Sequence, residues 1–242
     1  MKTGSLIPSD WPPEGRLFPV ASVDIKVEDG DKAQILRFEE AVRENWEREV
    51  AANPYLFNGR LITLNAVGLD DGAIEATGQI VPYAYHLWWR RQAPRPPTFH
   101  SFAMPVIVSA DGAIIAIRMS RTTANAGKVY CASGSLEVAD IVDGHVDIDA
   151  NMAREAAEET GLDLSAMRAE PQYHGAHFQQ AVMFYRFFHA TLDADRLIAK
   201  VQEHMRHDAE QEIDAVIAIT RDNRDNFEYA YSMFPVLDYY FG

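Results

Sequence analysis

The chain has 242 residues, with 36 acidic side chains against 22 lysines and arginines and a formal net charge of −14. Phosphate backbones and anionic membrane surfaces attract basic proteins, so this balance argues against nucleic acid and membrane as main partners. It also means that any phosphate must be held through a metal or a local arginine cluster. The single cysteine, Cys131, rules out an intrachain disulfide and a cysteine-based zinc site. The length suits one large domain or two small ones. The N-terminal stretch has no apolar signal-like core and no segment reaches membrane-spanning length, so the expected location is cytoplasmic.

In chain order, Pro8, Pro12, Pro13 and Pro19 predict an extended start. Ala21 to Val27 reads as a strand. From Asp31 to Ala52, Ile35, Phe38, Val42, Trp46 and Val50 recur at helical spacing, and Asn53-Pro54 ends the run. Leu61 to Leu69 and Ala73 to Val81 read as two strands joined across Asp70-Asp71-Gly72. A short helix is expected over Tyr83 to Gln92, with Tyr83, Tyr85, Trp88 and Trp89 spaced to bury one face. The linker-like run Ala93-Pro94-Arg95-Pro96-Pro97-Thr98 then divides a 1–98 subdomain from a 99–242 domain. Phe102 to Val108 and Ile114 to Arg118 predict a hairpin about Asp111-Gly112, and Val129 to Ala132 a short strand leading into Ser133-Gly134-Ser135. A helix follows, with Asp149 as its expected N-cap and Gly161 as its stop. Ala181 to Ala190 and Ile213 to Thr220 are expected core strands flanking a helix over Ala194 to His207. The pattern is α+β, helices against a mixed sheet.

The helix before Gly161 carries the chemistry. Glu155, Glu158 and Glu159 fall at i, i+3 and i+4, so three carboxylates share one helical face. Their repulsion weakens a bare helix and is relieved by a cation, and a cluster of hard oxygen donors suits Mg²⁺ or Mn²⁺.

The run Arg154-Glu155-Ala156-Ala157-Glu158-Glu159-Thr160-Gly161-Leu162 resembles the second half of the Nudix box. Ala156 is smaller than the aliphatic residue usual there. Gly134 resembles the glycine that opens the box, but it lies 20 residues before Arg154, against about 14 in the pattern. An insertion of about six residues accounts for the difference and leaves three candidates for the acid that partners Arg154: Glu137, Asp140 and Asp147.

The resemblance implies a Nudix-type α/β/α sandwich and hydrolysis of a nucleoside diphosphate linked to another group, with Mg²⁺ or Mn²⁺ held by Glu155, Glu158 and Glu159. It further implies a metal contact from the Ser133 or Gly134 backbone, an added acid from Glu210 or Glu212, and an orienting role for Arg154. Arg118, Arg121 and Lys128 are candidate phosphate contacts. His174 and His177 flank Gly175 in a segment expected beside the site, with His177 a candidate for substrate binding. The stretch from Trp46 to Arg60 resembles the segment before the catalytic domain in the UDP-glucose/UDP-galactose pyrophosphatase branch. That resemblance implies a UDP-sugar split to UMP and a sugar 1-phosphate. ADP-ribose or dinucleotide hydrolysis, and a non-catalytic nucleotide-sugar sensor, are the alternatives. The expected partner is thus a small nucleoside diphosphate derivative, and relatives of this kind are often homodimers.

Overall fold

The computed structural model describes residues 7–8, 11–28, 36–121, 123, 125–208 and 211–242. Glu210 and the first residues of the expected 31–52 helix lie outside them. Runs of β-branched and aromatic residues, several joined by Asp-Gly turns, assemble among the described residues into one sheet of 13 strands. The N-terminal strands are β1 (Phe18–Val20), β2 (Ser22–Val27), β3 (Arg60–Asp70) and β4 (Ala73–Pro82). β3 and β4 form the expected hairpin, and Asp71 (φ 46°) and Gly72 (φ 79°) supply the two left-handed positions of its turn. Helix α1 (Glu39–Ala52) and the short α2 (Tyr83–Trp89) pack together beside this hairpin. Their contact forms a separate small core in which Tyr85, Trp88 and Trp89 meet Val42, Leu61 and Val81.

The central strand is β5 (Phe99–Val108). It runs parallel to β12 (Ala181–His189) over its full length, from His100↔Ala181 to Val108↔His189, and β11 (Arg168–Phe178) pairs antiparallel on the far side of β12. At its start β5 also pairs with β3, through Thr63↔His100 and Leu64↔Phe99. At its end it turns through Gly112 into β6 (Ile114–Met119), which carries β13 (Ile213–Ile219) and β7 (Val129–Tyr130). The sheet therefore crosses the expected boundary at residue 98. Gln180 Nε2 reinforces the join by donating to the carbonyls of Pro96 (2.8 Å) and Thr98 (3.0 Å).

Helix α3 (Ile148–Thr160) lies on β5 with Ile148, Met152 and Ala156 buried beneath it. Ala156 is fully buried, so the small residue suits a close helix-to-sheet contact. Helix α4 (Ala194–His207) packs on β13 and against α3. Gly161 ends α3 in the left-handed region (φ 67°). A side chain there would also strike the His204 ring 2.8 Å away, so glycine is required on two counts. A C-terminal helix, α5 (Met233–Phe241), was not foreseen; Met233, Val236, Leu237 and Phe241 bury its inner face.

The loop insertion of the motif folds into a small hairpin, β9 (Ile141–Val142) and β10 (His145–Val146), about a turn at Asp143 and Gly144, both with positive φ. β10 pairs with β2 at His145↔Lys26, and Val27 N–H donates to the Gly144 carbonyl. The insertion thus ties the motif loop to the N-terminal strands. The N-cap of α3 is Asp147, whose side chain accepts from Ala150 N–H, rather than Asp149. Asp149 instead accepts from Arg186 (2.6 Å) and from the Tyr173 hydroxyl (2.8 Å), a partner supplied by the distant strands β11 and β12.

Candidate active site

The same winding that buries Ile148, Met152 and Ala156 turns the next positions, Glu155 and Glu159, to the rim of the core, where they are 9% and 7% exposed; Glu158 is open to solvent. They line a narrow cleft of about 40 Å³ together with Asp208 at the end of α4 and Glu212 at the start of β13. Two elements distant in sequence therefore deliver acids to the face that α3 presents, and among the described residues no lysine or arginine lines the cleft. Burial first, then the neighbouring carboxylates, push Glu159 well above its ordinary range, and the N–H of Ser133 (2.9 Å) opposes that rise. Burial likewise pushes Glu155 up to about 7, against the opposing pull of Arg154.

The loop before the helix is shaped around these acids. Ser133 N–H donates to Glu159, and Gly134 forms the two-residue strand β8 (Gly134–Ser135) that pairs with Phe102 and Ala103 of β5. A Cβ on Gly134 would lie 2.0 Å from Glu155 Oε1 and 2.4 Å from Oε2, so the glycine leaves the space that the carboxylate fills. The all-oxygen donor set fits a hard divalent cation. Among the described residues no three acids are drawn to ligating distance about one point. Glu155 leans toward Arg154 (2.7 Å) instead, the nearest positive charge available to it.

Arg154 faces inward to carboxylates. It donates through Nε (3.2 Å) and Nη2 (3.1 and 3.2 Å) to Asp140, and its Nη1 lies 3.1 Å from Glu137 and 3.0 Å from Glu158. Of the three candidate acids, Asp140 is therefore the principal partner. It is buried and also accepts from Asn151 Nδ2 and from Glu137 N–H, both at 2.8 Å. Glu137 is an outer partner, and Asp147 is the helix cap.

On its other side the Ser133–Ser135 loop borders a cavity of about 610 Å³. One wall is aromatic and comes from the N-terminal half: Tyr83, His86 and Trp89 of α2 stack at 6.0 and 5.9 Å between ring centres, and His100 of β5 lies 4.2 Å from His86. Phe178 and Tyr231, 5.2 Å apart, also line the cavity, and Tyr231 lies 6.4 Å from Phe102, which follows His100 along β5. Burial, with the positive charges of Arg90 and Arg95 behind it, holds His100 down at about 4. Burial and then the neighbouring His100 hold His86 well below 6.5. Both rings are therefore neutral and serve as flat stacking surfaces near pH 7.

The expected phosphate contacts separate. Lys128 lines the cavity, paired with Glu228 at 2.5 Å. Arg118 lies outside it, paired with Asp214 at 2.6 Å on the β6–β13 ribbon, and Arg121 is exposed and also outside the lining. His177 is turned away from the cavity. Its Nε2 meets the Pro12 carbonyl (2.8 Å) and its ring packs on Trp11, because β11 presents that face to the N-terminal segment. His174 is buried against Phe187 and Tyr239. His86, Arg90, Arg95, His100 and Tyr231 were not foreseen. The signal for the first two was present in the aromatic and basic run from Tyr83 to Arg91, but Arg95 sits in a proline-rich stretch that reads as linker.

No protein-family model matches the chain, and no curated protein matches it by sequence. Three solved structures with which it shares low similarity are a MutT protein from Methanosarcina mazei, a C. elegans Ap4A hydrolase and the NUDIX domain of Shewanella oneidensis NrtR complexed with ADP ribose. The first is 15% identical, covering 58% of this chain and 94% of that one with a TM-score of 0.38. The second is 13% identical, covering 57% and 93%, with a TM-score of 0.42. The third is 11% identical, covering 58% and 84%, with a TM-score of 0.41. Likeness of this size assigns no activity, and the functional reading rests on the site's own geometry.

Proposed function

We propose that the chain is a Nudix-type hydrolase that cleaves the diphosphate of a nucleoside diphosphate derivative with Mg²⁺ or Mn²⁺. The observation that carries this reading is the meeting of an acidic cleft and an aromatic cavity at one loop, Ser133–Gly134–Ser135. A diphosphate laid on that loop has carboxylates on one side and rings for a base or sugar on the other. Glu155, Glu158, Glu159 and Glu212 would hold the metal, with a backbone carbonyl of the Ser133–Gly134 turn. When bound, the metal neutralises phosphate oxygens and acidifies a water at the phosphorus. Arg154 acts as a positioning residue: its grip on Asp140 fixes the guanidinium, which in turn fixes Glu155 and Glu158. The aromatic walls bind and orient the substrate and exclude bulk water from one side of the diphosphate.

The cavity volume falls within the range of roughly 300–1,000 Å³ that small-molecule sites occupy. A UDP-sugar, split to UMP and sugar 1-phosphate, is the preferred substrate, supported by the resemblance of the Trp46 to Arg60 segment. ADP-ribose or a dinucleotide is the second reading, favoured by the two aromatic groups that line the cavity, on which a base can stack. Glu158→Gln and Glu159→Gln should each lower Mg²⁺-dependent turnover by orders of magnitude while leaving the circular dichroism spectrum unchanged. Full activity in both variants would remove the carboxylate cluster from the reaction. Ligand binding without turnover of any diphosphate would favour a sensor.

A further inference from the structure

Arg43, Arg91, Arg118, Arg154 and Arg186 all lie within 3.1 Å of a carboxylate. Arg90 and Arg95 are among the arginines that do not, and they are set apart by their place: both line the aromatic cavity, whose lining, among the described residues, contains no aspartate or glutamate. Among the described residues the Arg90 guanidinium has no hydrogen-bond or ion-pair partner. Arg95 is held in place without being neutralised. Its guanidinium lies 5.1 Å above the Trp89 ring, Nη1 donates to Gln179 Oε1 (2.9 Å) and Nη2 to the Arg90 carbonyl (3.3 Å). Its Nε is buried and has no acceptor among the described residues. A buried, unsatisfied donor on a fixed cation is costly unless something anionic arrives.

The strand register says which end of the cavity this is. Gly134 and Ser135 pair with Ala103 and Phe102 of β5, and Ala181 pairs with His100. Gln179, which holds Arg95, precedes Ala181 on the chain that runs parallel to β5, so Arg95 lies on the side of His100 away from Gly134. From Ala103 back to His100 is already about 10 Å of strand. The cavity thus runs from the Gly134 loop, past the His86 and His100 rings, to a cationic end.

We propose that Arg90 and Arg95 form an anion subsite, so that the substrate carries a second ionised group, a phosphate or a carboxylate, at the far end of the half that stacks in the cavity. The placement of the diphosphate at Gly134 rests on the hydrolase reading above; the subsite itself does not. Isothermal titration calorimetry in EDTA, where no metal-dependent turnover occurs, tests it with two ligand pairs that differ by one anionic group. These are UDP-glucuronate against UDP-glucose, and NADP⁺ against NAD⁺. In at least one pair the more anionic member binds tenfold tighter or more, on the order expected for a charge-assisted contact. The pair that shows the preference identifies the group as carboxylate or phosphate. Arg90→Ala removes most of the preference and Arg90→Glu abolishes or reverses it; Arg90 is exposed, so neither change disturbs packing. No preference in either pair, including no measurable binding up to about 1 mM, overturns the subsite, as does a preference that survives in Arg90→Glu. Because binding is read without turnover, failure of the subsite leaves the hydrolase reading intact, and absence of hydrolysis leaves the subsite intact.

Discussion

The acidic cleft makes the metal-free protein sensitive to pH in a definite direction. Glu155 has its carboxyl held at about 7 by burial, above an ordinary value near 4.5 that applies when the chain is unfolded. Between those values the folded protein holds a proton that the unfolded chain releases. The stabilising effect of that proton is therefore complete below about pH 4.5 and is lost as pH rises through about 7. A gap of that size corresponds to about 3 kcal/mol. Because the Glu155 side chain is only 12% exposed, solvent screening reduces this little. Glu159, also pushed upward by burial, adds to the loss. For a chain of this length each 1 kcal/mol moves the melting temperature by about 2–4 °C. Calorimetry in EDTA should thus show the protein melting roughly 6–12 °C lower at pH 8 than at pH 5. Saturating Mg²⁺ should bind the ionised form and recover most of that loss at pH 8 while doing little at pH 5. The high net negative charge adds its own pH dependence, and Glu155→Gln separates the two by keeping the shape and removing the titration. The variant should melt with a distinctly shallower pH slope in EDTA and lose most of the Mg²⁺ response. Equal slopes in the wild type and in Glu155→Gln would refute the claim that burial of this carboxylate stores the instability.

Gly134→Ala should leave melting within a few degrees of wild type, because the clash at 2.0 Å falls on the movable end of Glu155; it should abolish Mg²⁺-dependent stabilisation, read by a thermal-shift titration. Retained metal response would mean that Glu155 need not occupy that space. Asp140→Asn removes the charge that Arg154 grips from a site that is 1% exposed. It should cost about 3 kcal/mol in urea unfolding, whereas Asp147→Asn, which keeps a capping oxygen, should cost well under 1 kcal/mol. Trp89→Ala should raise KM for a nucleotide substrate far more than it lowers kcat, because the ring belongs to the cavity wall and not to the acidic cleft; a kcat effect alone would displace the wall from substrate binding.

Much of the fold was legible because local chemistry and tertiary structure agree. Asp71-Gly72 and Gly112 sit where their hairpins need them, Gly161 stops its helix, and the apolar run expected as a core strand is β12, buried along nearly its whole length. The acidic helix face was legible because its spacing alone brings three carboxylates together, and Glu212 joins them from the strand expected to follow α4. What escaped depends on partners far away in sequence. Asp149 looked like a cap but is drawn to Arg186, 37 residues on. The choice among Glu137, Asp140 and Asp147 could not be made until the inserted residues were seen to fold out as a hairpin against Lys26, leaving Asp140 beneath Arg154. The cavity was the largest omission. Its walls come from α2, the start of β5, the end of β11 and the segment before α5, and no periodicity within one segment announces that four such pieces will face one another. Arg95 illustrates the point: among prolines it reads as a solvated linker residue, yet the chain folds it onto Trp89.

The central claim is that carboxylates and cavity serve one reaction at the Ser133–Ser135 loop. The most direct measurement incubates the protein with a panel of nucleotide sugars, ADP-ribose and dinucleotides in Mg²⁺, Mn²⁺ or EDTA and identifies products by phosphorus NMR. The prediction is that at least one diphosphate is split into two monophosphate esters, only with metal, and that Glu159→Gln lowers the rate by orders of magnitude. Cleavage that proceeds equally in EDTA or in Glu159→Gln, or a panel that stays intact throughout, would contradict it.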